Sequence, residues 1–162
     1  MNNTEQVRPA ADRRRMTSRE LVVWRSLIDT TAELHRRLAA QLAADSGLSP
    51  GDYAVLLALA EAPDRRLRSS ELAAAIDWER SRLSHHLGRM EKRGLICRAE
   101  CETDSRGAEV VLTEEGARVF RAATPAHARA IKQHFGDALS PTQFEALDDI
   151  LTTLHEHLEA DR

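Results

Sequence analysis

Apolar residues along this chain return at two different rhythms, and the change of rhythm marks out its parts. Leu21, Trp24, Leu27, Ile28, Leu34, Leu38 and Leu42 recur at the spacing of one face of an amphipathic helix. The stripe predicts one long helix from Thr17 or Ser18 to about Asp45, with Glu20 in its first turn and Gly47 as its stop. A helix of that length outruns what a small domain covers, so it is expected to pack against a second chain or a long partner. Ser49-Pro50 opens the next helix, with Tyr53, Leu56, Leu57 and Leu59 as its apolar side and Pro63 as its end. Ser69 or Ser70 is expected to cap a short helix, "ELAAAI", and Asp77 to cap another from about Trp78 to Arg93, closed by Gly94.

The rhythm then shortens. Leu95–Ala99 and Ala108–Leu112 read as two strands joined by the polar tip "ETDSRG", a hairpin finger. Thr113 is expected to cap a helix whose stripe of Val119, Phe120 and Ala123 leads to Pro125. The pattern resumes through Ala128, Ile131, Phe135 and Leu139. A last helix starts after Ser140-Pro141 with Phe144, Leu147, Ile150, Leu151, Leu154 and Leu158. The fold class that emerges is mainly α with a small β-wing. Its parts are a polar N-terminal arm (1–16), an N-terminal dimerisation helix (17–47), a helix-turn-helix core with its finger (48–116) and C-terminal dimerisation helices (117–162).

Composition narrows the class of protein. Of 162 residues 42 % are hydrophobic and 30 % charged, the balance of a folded soluble chain. No apolar run nears the roughly 20 residues that cross a bilayer, and the N-terminus lacks a signal-type apolar segment, so the expected location is the cytoplasm and no membrane is implied. Two cysteines, Cys97 and Cys101, fit a reducing compartment. A cysteine-based redox sensor is a third reading of the chain, since Arg98 beside Cys97 would favour a thiolate. No nucleophile–base pair, zinc signature or glycine-rich phosphate loop stands out, and neither an enzyme nor a cofactor is expected.

Net charge is −3, yet it is unevenly spread. Arg80 to Arg98 holds six basic residues and one acid, whereas Gly107 to the end holds five basic and ten acidic residues. On the helix in that basic stretch, Leu83, Leu87 and Met90 share one face while Ser81, His85, Gly88 and Lys92 point the other way, with Arg82 and Arg89 on one flank and Ser84 on the other. Arginines, serines and a histidine on an exposed helix suit a DNA major groove, where arginine bonds guanine edges. Arg65, Arg66 and Arg68 precede the first helix of the pair, placed for phosphates, and Arg98 at the finger's base is expected to lie beside a phosphate of the DNA as well. At the finger's tip Asp104 would brace the loop and Arg106 would enter the minor groove, whose negative potential draws arginine.

These residues resemble the winged helix-turn-helix of the multiple antibiotic resistance regulator (MarR) family. The resemblance is carried by "SELA", by "LGRMEKRGLI" and by the wing pattern D-x-R-G followed by "VLTEEG", with "LS..DY.VL..L" before them and "LSPTQFEALDDIL" after. Ser105 stands where the family often has glycine, lysine or arginine, and the Asp-x-Arg arrangement around it is kept. The resemblance implies a homodimer that binds a palindromic operator in double-stranded DNA and represses transcription. It assigns Ser81, Arg82, Ser84, His85 and Arg89 to the recognition helix and Asp104 and Arg106 to the wing. It also implies release by a small aromatic or phenolic ligand, for which Trp24, Tyr53 and Arg68 are the candidate contacts, the aromatic rings for stacking and the arginine for a carboxylate. The alternative is a winged-helix interaction module whose basic face docks an acidic protein.

Overall fold

The computed structural model describes residues 15–100 and 108–160. Its elements run α1 (Ser18–Ser46), α2 (Pro50–Glu61), β1 (Arg66–Arg68), α3 (Ser69–Ala75), α4 (Arg80–Lys92), β2 (Ile96–Glu100), β3 (Ala108–Leu112), α5 (Glu114–His134) and α6 (Pro141–Ala160). The chain divides into two compact units between Arg36 and Arg37, inside α1. Among the described residues no helix is long and apolar enough to cross a membrane.

Local chemistry sets most of the boundaries. Thr17 and Glu20 cap α1 reciprocally: the Glu20 N–H donates to the Thr17 hydroxyl at 3.2 Å and the Glu20 carboxylate accepts from the Thr17 N–H. Ser49 and Asp52 do the same for α2 (3.1 and 2.9 Å), with Pro50 at the first helical position. Two expected caps move. Arg68, not Ser69 or Ser70, occupies the cap of α3, where its N–H donates to the Glu71 carboxylate at 3.0 Å. Helix α4 begins at Arg80 behind Glu79, because Asp77 takes φ 52° and turns the chain between the two helices. Aspartate tolerates that left-handed conformation better than most residues.

Pro125 does not interrupt α5, which passes through it. An interior proline costs a helix about 3 kcal/mol, but Ala117 and Ala123 before it and Ala130 after it are buried, so packing holds both halves in line.

The finger's strands form as expected, and a third joins them. The sheet is antiparallel in the order β1-β3-β2, with Leu67 opposite Val110 and Ile96 opposite Leu112. The core lies beneath it: Val55, Leu56 and Leu59 of α2, Leu72 of α3, Leu83, Leu87 and Met90 of α4, and Ile96 and Val110 of the sheet are almost fully buried. The hinge from sheet to α5 is closed at Gly116. A β-carbon there would lie 2.0 Å from the Leu95 carbonyl oxygen, so only glycine fits. Thr113 latches the same corner, its hydroxyl donating to the Gly94 carbonyl at 2.6 Å and accepting from the Gly116 N–H at 2.9 Å.

Candidate nucleic-acid interface

Helix α4 is divided lengthwise. Leu83, Leu87 and Met90 are no more than 1 % exposed, whereas Ser81, Arg82, Ser84, His85 and Arg89 are exposed. The burial of one stripe against α2 and the sheet is what commits the opposite stripe to solvent. Helix α3 lies before it across the Asp77 turn, and α3 and α4 border an open groove lined by Ser70, Ala74, Trp78, Ser81 and Arg82. That is a helix-turn-helix with its second helix bearing the basic face.

The basic side chains on this face are held rather than loose. The Arg82 guanidinium lies 4.0 Å over the Trp78 ring, a cation–π contact. Arg89 Nη2 lies 2.9 Å from His86 Nδ1, and its Nη1 reaches the His85 carbonyl at 3.5 Å. Arg98, on β2, donates to the Ser84 carbonyl at 2.9 Å and lies 3.9 Å from the Glu91 carboxylate, while its N–H donates to Glu91 at 3.0 Å. The finger's first strand is thereby clipped to α4, and Arg98 serves that joint. Arg65 and Arg66 pair with Glu114 (3.3 Å) and Glu109 (3.5 Å) beside the sheet, and both remain about half exposed. Asp104, Arg106 and Cys101 lie outside the described residues. Cys97 is a free, exposed thiol on β2.

The candidate ligand contacts fall in different units. Trp24 is half exposed on α1, in the first unit, while Tyr53 and Arg68 belong to the second. Tyr53 packs on Phe120 and His127 (ring centroids 5.2 and 4.7 Å apart), and its hydroxyl donates to Thr124 at 3.3 Å.

Behind the exposed face lies a group that the reading of the sequence passed over. His86 is buried, its Nε2 3.0 Å from Asp52 Oδ1, and Asp52 Oδ2 accepts from Arg93 at 2.8 Å. Arg93 also donates to the Gly47 carbonyl at 3.1 Å, tying the end of α4 to the start of α2. Burial pulls the His86 pKa down, and the charges of Arg89 and Arg93 add to that against the opposing pull of Asp52; the net direction is below the usual value, so the ring is neutral near pH 7. Burial alone would raise the Asp52 pKa, but the hydrogen bond from Arg93, those from the Ser49 N–H and hydroxyl, and the Arg93 charge outweigh it and hold the carboxyl below its ordinary value. The signal was present in the spacing. His86 stands three residues after Leu83 and four before Met90, on the stripe that faces the core.

Comparison with known proteins agrees with this geometry. The MarR family model matches residues 46–107, the span from the end of α1 to the finger. The structure of Sco3205, a MarR family transcriptional regulator from Streptomyces coelicolor solved in complex with DNA, superposes with a TM-score of 0.82 at 41 % identity, covering 89 % of this chain and 90 % of that one. AbsC, a MarR family regulator from the same organism, gives 0.81 at 36 % identity over 90 % and 98 %. The transcriptional repressor MprA of Escherichia coli is 28 % identical over 113 residues, which is 70 % of this chain but only 64 % of MprA, just under two thirds of its length. The fold is that of a winged helix-turn-helix protein. The chain belongs to the MarR family of transcriptional regulators.

Proposed function

We propose that this chain is a homodimeric, cytoplasmic DNA-binding repressor that reads a palindromic operator and releases it when a small aromatic or phenolic ligand binds. The observation that carries the reading is the lengthwise split of α4, with an exposed row of Ser81, Arg82, Ser84, His85 and Arg89 over a buried row of leucines. In this reading α4 enters the major groove, Arg82 and Arg89 bond base edges, and Arg65, Arg66 and Arg68 contact phosphates. Arg98 sets the finger's angle, and Asp104 and Arg106 place the finger in the minor groove. DNA in the crystals of Sco3205 supports the same use of the fold here.

Two copies are called for by the helices outside the core. Leu21, Val22, Val23, Trp24, Leu27 and Ile28 of α1 are exposed, and so are Phe144, Ile150, Leu151, Leu154 and Leu158 of α6. Apolar faces of that size mark association surfaces. A twofold dimer would present two α4 helices to half-sites about 34–36 Å apart. Within the second unit the proposed ligand contacts are Tyr53, for stacking, and Arg68, for an acid group. The ligand would act by favouring one spacing of the two α4 helices over the other.

Affinity for operator and for random duplex, measured against salt, tests the reading. Wild type is expected to bind both, the operator more tightly, with a slope in log–log coordinates of about −0.9 per neutralised phosphate. Arg106→Ala is expected to weaken operator binding strongly with fold and dimer intact, and aromatic acids to release the complex. Binding to acidic proteins with none to duplex would point to the interaction-module reading instead.

A further inference from the structure

The basic face of α4 is built on a polar support that reaches back into the core. The Arg89 guanidinium carries only N–H donors. His86 Nδ1, 2.9 Å from Arg89 Nη2, must therefore be the acceptor, and the single proton of the neutral ring sits on Nε2, facing Asp52 Oδ1 at 3.0 Å. That oxygen lies off the N–H axis, since Nε2 makes no aligned hydrogen bond among the described residues. The contact is one of charge and dipole. Asp52 cannot turn to improve it, because its other oxygen holds the Ser49 N–H at 2.9 Å and Arg93 at 2.8 Å.

The ring is also fixed sterically. Trp78 meets it edge-on, with centroids 5.1 Å apart and planes at 87°. The first turn of α2 closes over both rings at Gly51, where a β-carbon would come within 2.6 Å of Trp78 and 3.1 Å of His86. The same Trp78 ring carries Arg82 on its face. One buried histidine and one tryptophan thus support both arginines of the exposed row.

We propose that His86 is a positioning residue: as the Nε2–H tautomer between Asp52 and Arg89, it fixes the pose in which α4 offers Arg89 to a base, so that groove reading depends on a histidine that touches no DNA. The inference rests on the proposed role of α4 in DNA reading. Two of the Arg89 N–H groups are spent on His86 and on the His85 carbonyl, and the rest of the fork is presented in a fixed plane. Protonation of His86 would remove the Nδ1 acceptor and set a positive ring against Arg89. The charged groups facing the ring are Asp52 from α2 and Arg89 and Arg93 from α4 and its cap, two positive against one negative. The folded state therefore takes up that proton at a lower pH than a free histidine does.

Two kinds of measurement test this. On the free full-length protein, histidine side-chain 15N spectra should show His86 with unprotonated Nδ1 and protonated Nε2 near pH 7. A proton on Nδ1 would overturn the relay whatever the DNA results. On DNA, wild type, Arg89→Ala, His86→Gln and His86→Asn are compared on the preferred duplex and on every single-base-pair change of it, with thermal unfolding alongside. Asparagine can place an amide oxygen near the Nδ1 position, whereas glutamine reaches toward Asp52 and leaves Arg89 without its acceptor. At the base pair where Arg89→Ala loses discrimination, His86→Gln should lose about tenfold and His86→Asn should retain most of it. Wild-type discrimination there should fall as His86 titrates. Equal behaviour of the two His86 variants would overturn the relay and leave the DNA-binding reading intact. If Arg89→Ala changes nothing, the relay has no functional target and falls too. A wild type with no duplex preference would sink the DNA-binding reading, and with it the functional part of the relay.

Discussion

The winged-helix centre and the helix at the C-terminus are built on opposite terms. The centre buries most of the large apolar side chains it carries between Leu48 and Leu112, Leu57 being the exposed exception. Helix α6 buries none of its residues, although its stripe of Phe144, Ile150, Leu151, Leu154 and Leu158 is as regular as any in the core. Periodicity alone therefore says that a face will be covered, and not by which chain. In the centre the cover comes from α2, α3 and the sheet of the same chain. For α6 we assign the cover to a second copy of the chain.

The difference is open to attack by paired substitutions. Leu87→Ala removes a side chain that is 1 % exposed in the core and should cost about 2–5 kcal/mol in denaturant unfolding. Leu154→Glu, at a position 45 % exposed, should leave the circular dichroism of the chain largely unchanged and shift sedimentation from dimer toward monomer. If Leu154→Glu instead unfolded the monomer as Leu87→Ala does, α6 would be packed within its own chain and the contrast would fail.

Gly116→Ala sharpens the comparison at the sheet's corner. Its β-carbon would have to displace the Leu95 carbonyl, and overpacking of this kind costs about 1–3 kcal/mol. Gly88, on α4, has open space around it, and the same substitution there should be neutral or slightly stabilising. A Gly116→Ala chain as stable as wild type would mean that the corner is looser than drawn.

A smaller effect is expected from acid, and its sign follows from Asp52 and His86. Both have pKa values below their ordinary ones in the folded chain. The unfolded chain thus takes up the His86 proton first, and stability begins to fall as the pH drops below about 6.5. The Asp52 contribution is present in full above its ordinary value of 3.8 and is lost as the pH falls through its depressed folded value. His86→Asn should flatten the first limb and Asp52→Asn the second, as followed by urea midpoints across pH. A wild-type curve already flat between pH 6.5 and the acid limb would contradict the burial of a neutral His86.

Much of this architecture was legible in the sequence, and the parts that were not share a cause. The helix starts at Ser49-Pro50 and at Thr113 are written locally and agree with the structure, whereas α3 takes its cap from Arg68 with Glu71 and not from Ser69 or Ser70. Strand β1 was not. Its three residues Arg66–Arg68 lie amid arginines that read as a phosphate-binding stretch, and only pairing with β3 makes them a strand. The start of α4 was misplaced because Asp77 looks like a cap in sequence, while the chain spends it on the turn. The exposed row of α4 followed directly from helical period. What period could not give was the traffic behind that row: Asp52 lies 34 residues before His86, and nothing local couples them. Nor did spacing show that Arg98 would be committed to the Ser84 carbonyl.

The central claim is that paired copies of the chain present the Arg82–Arg89 face of α4 to successive major grooves. Its most direct test is selection of bound duplexes from a random pool by the purified full-length protein. The expected outcome is a twofold-symmetric consensus with half-sites about 10–10.5 base pairs apart, and loss of information at guanine-bearing positions when Arg82 or Arg89 is changed to alanine. Enrichment of no sequence, or of an asymmetric one unaffected by either change, would contradict it.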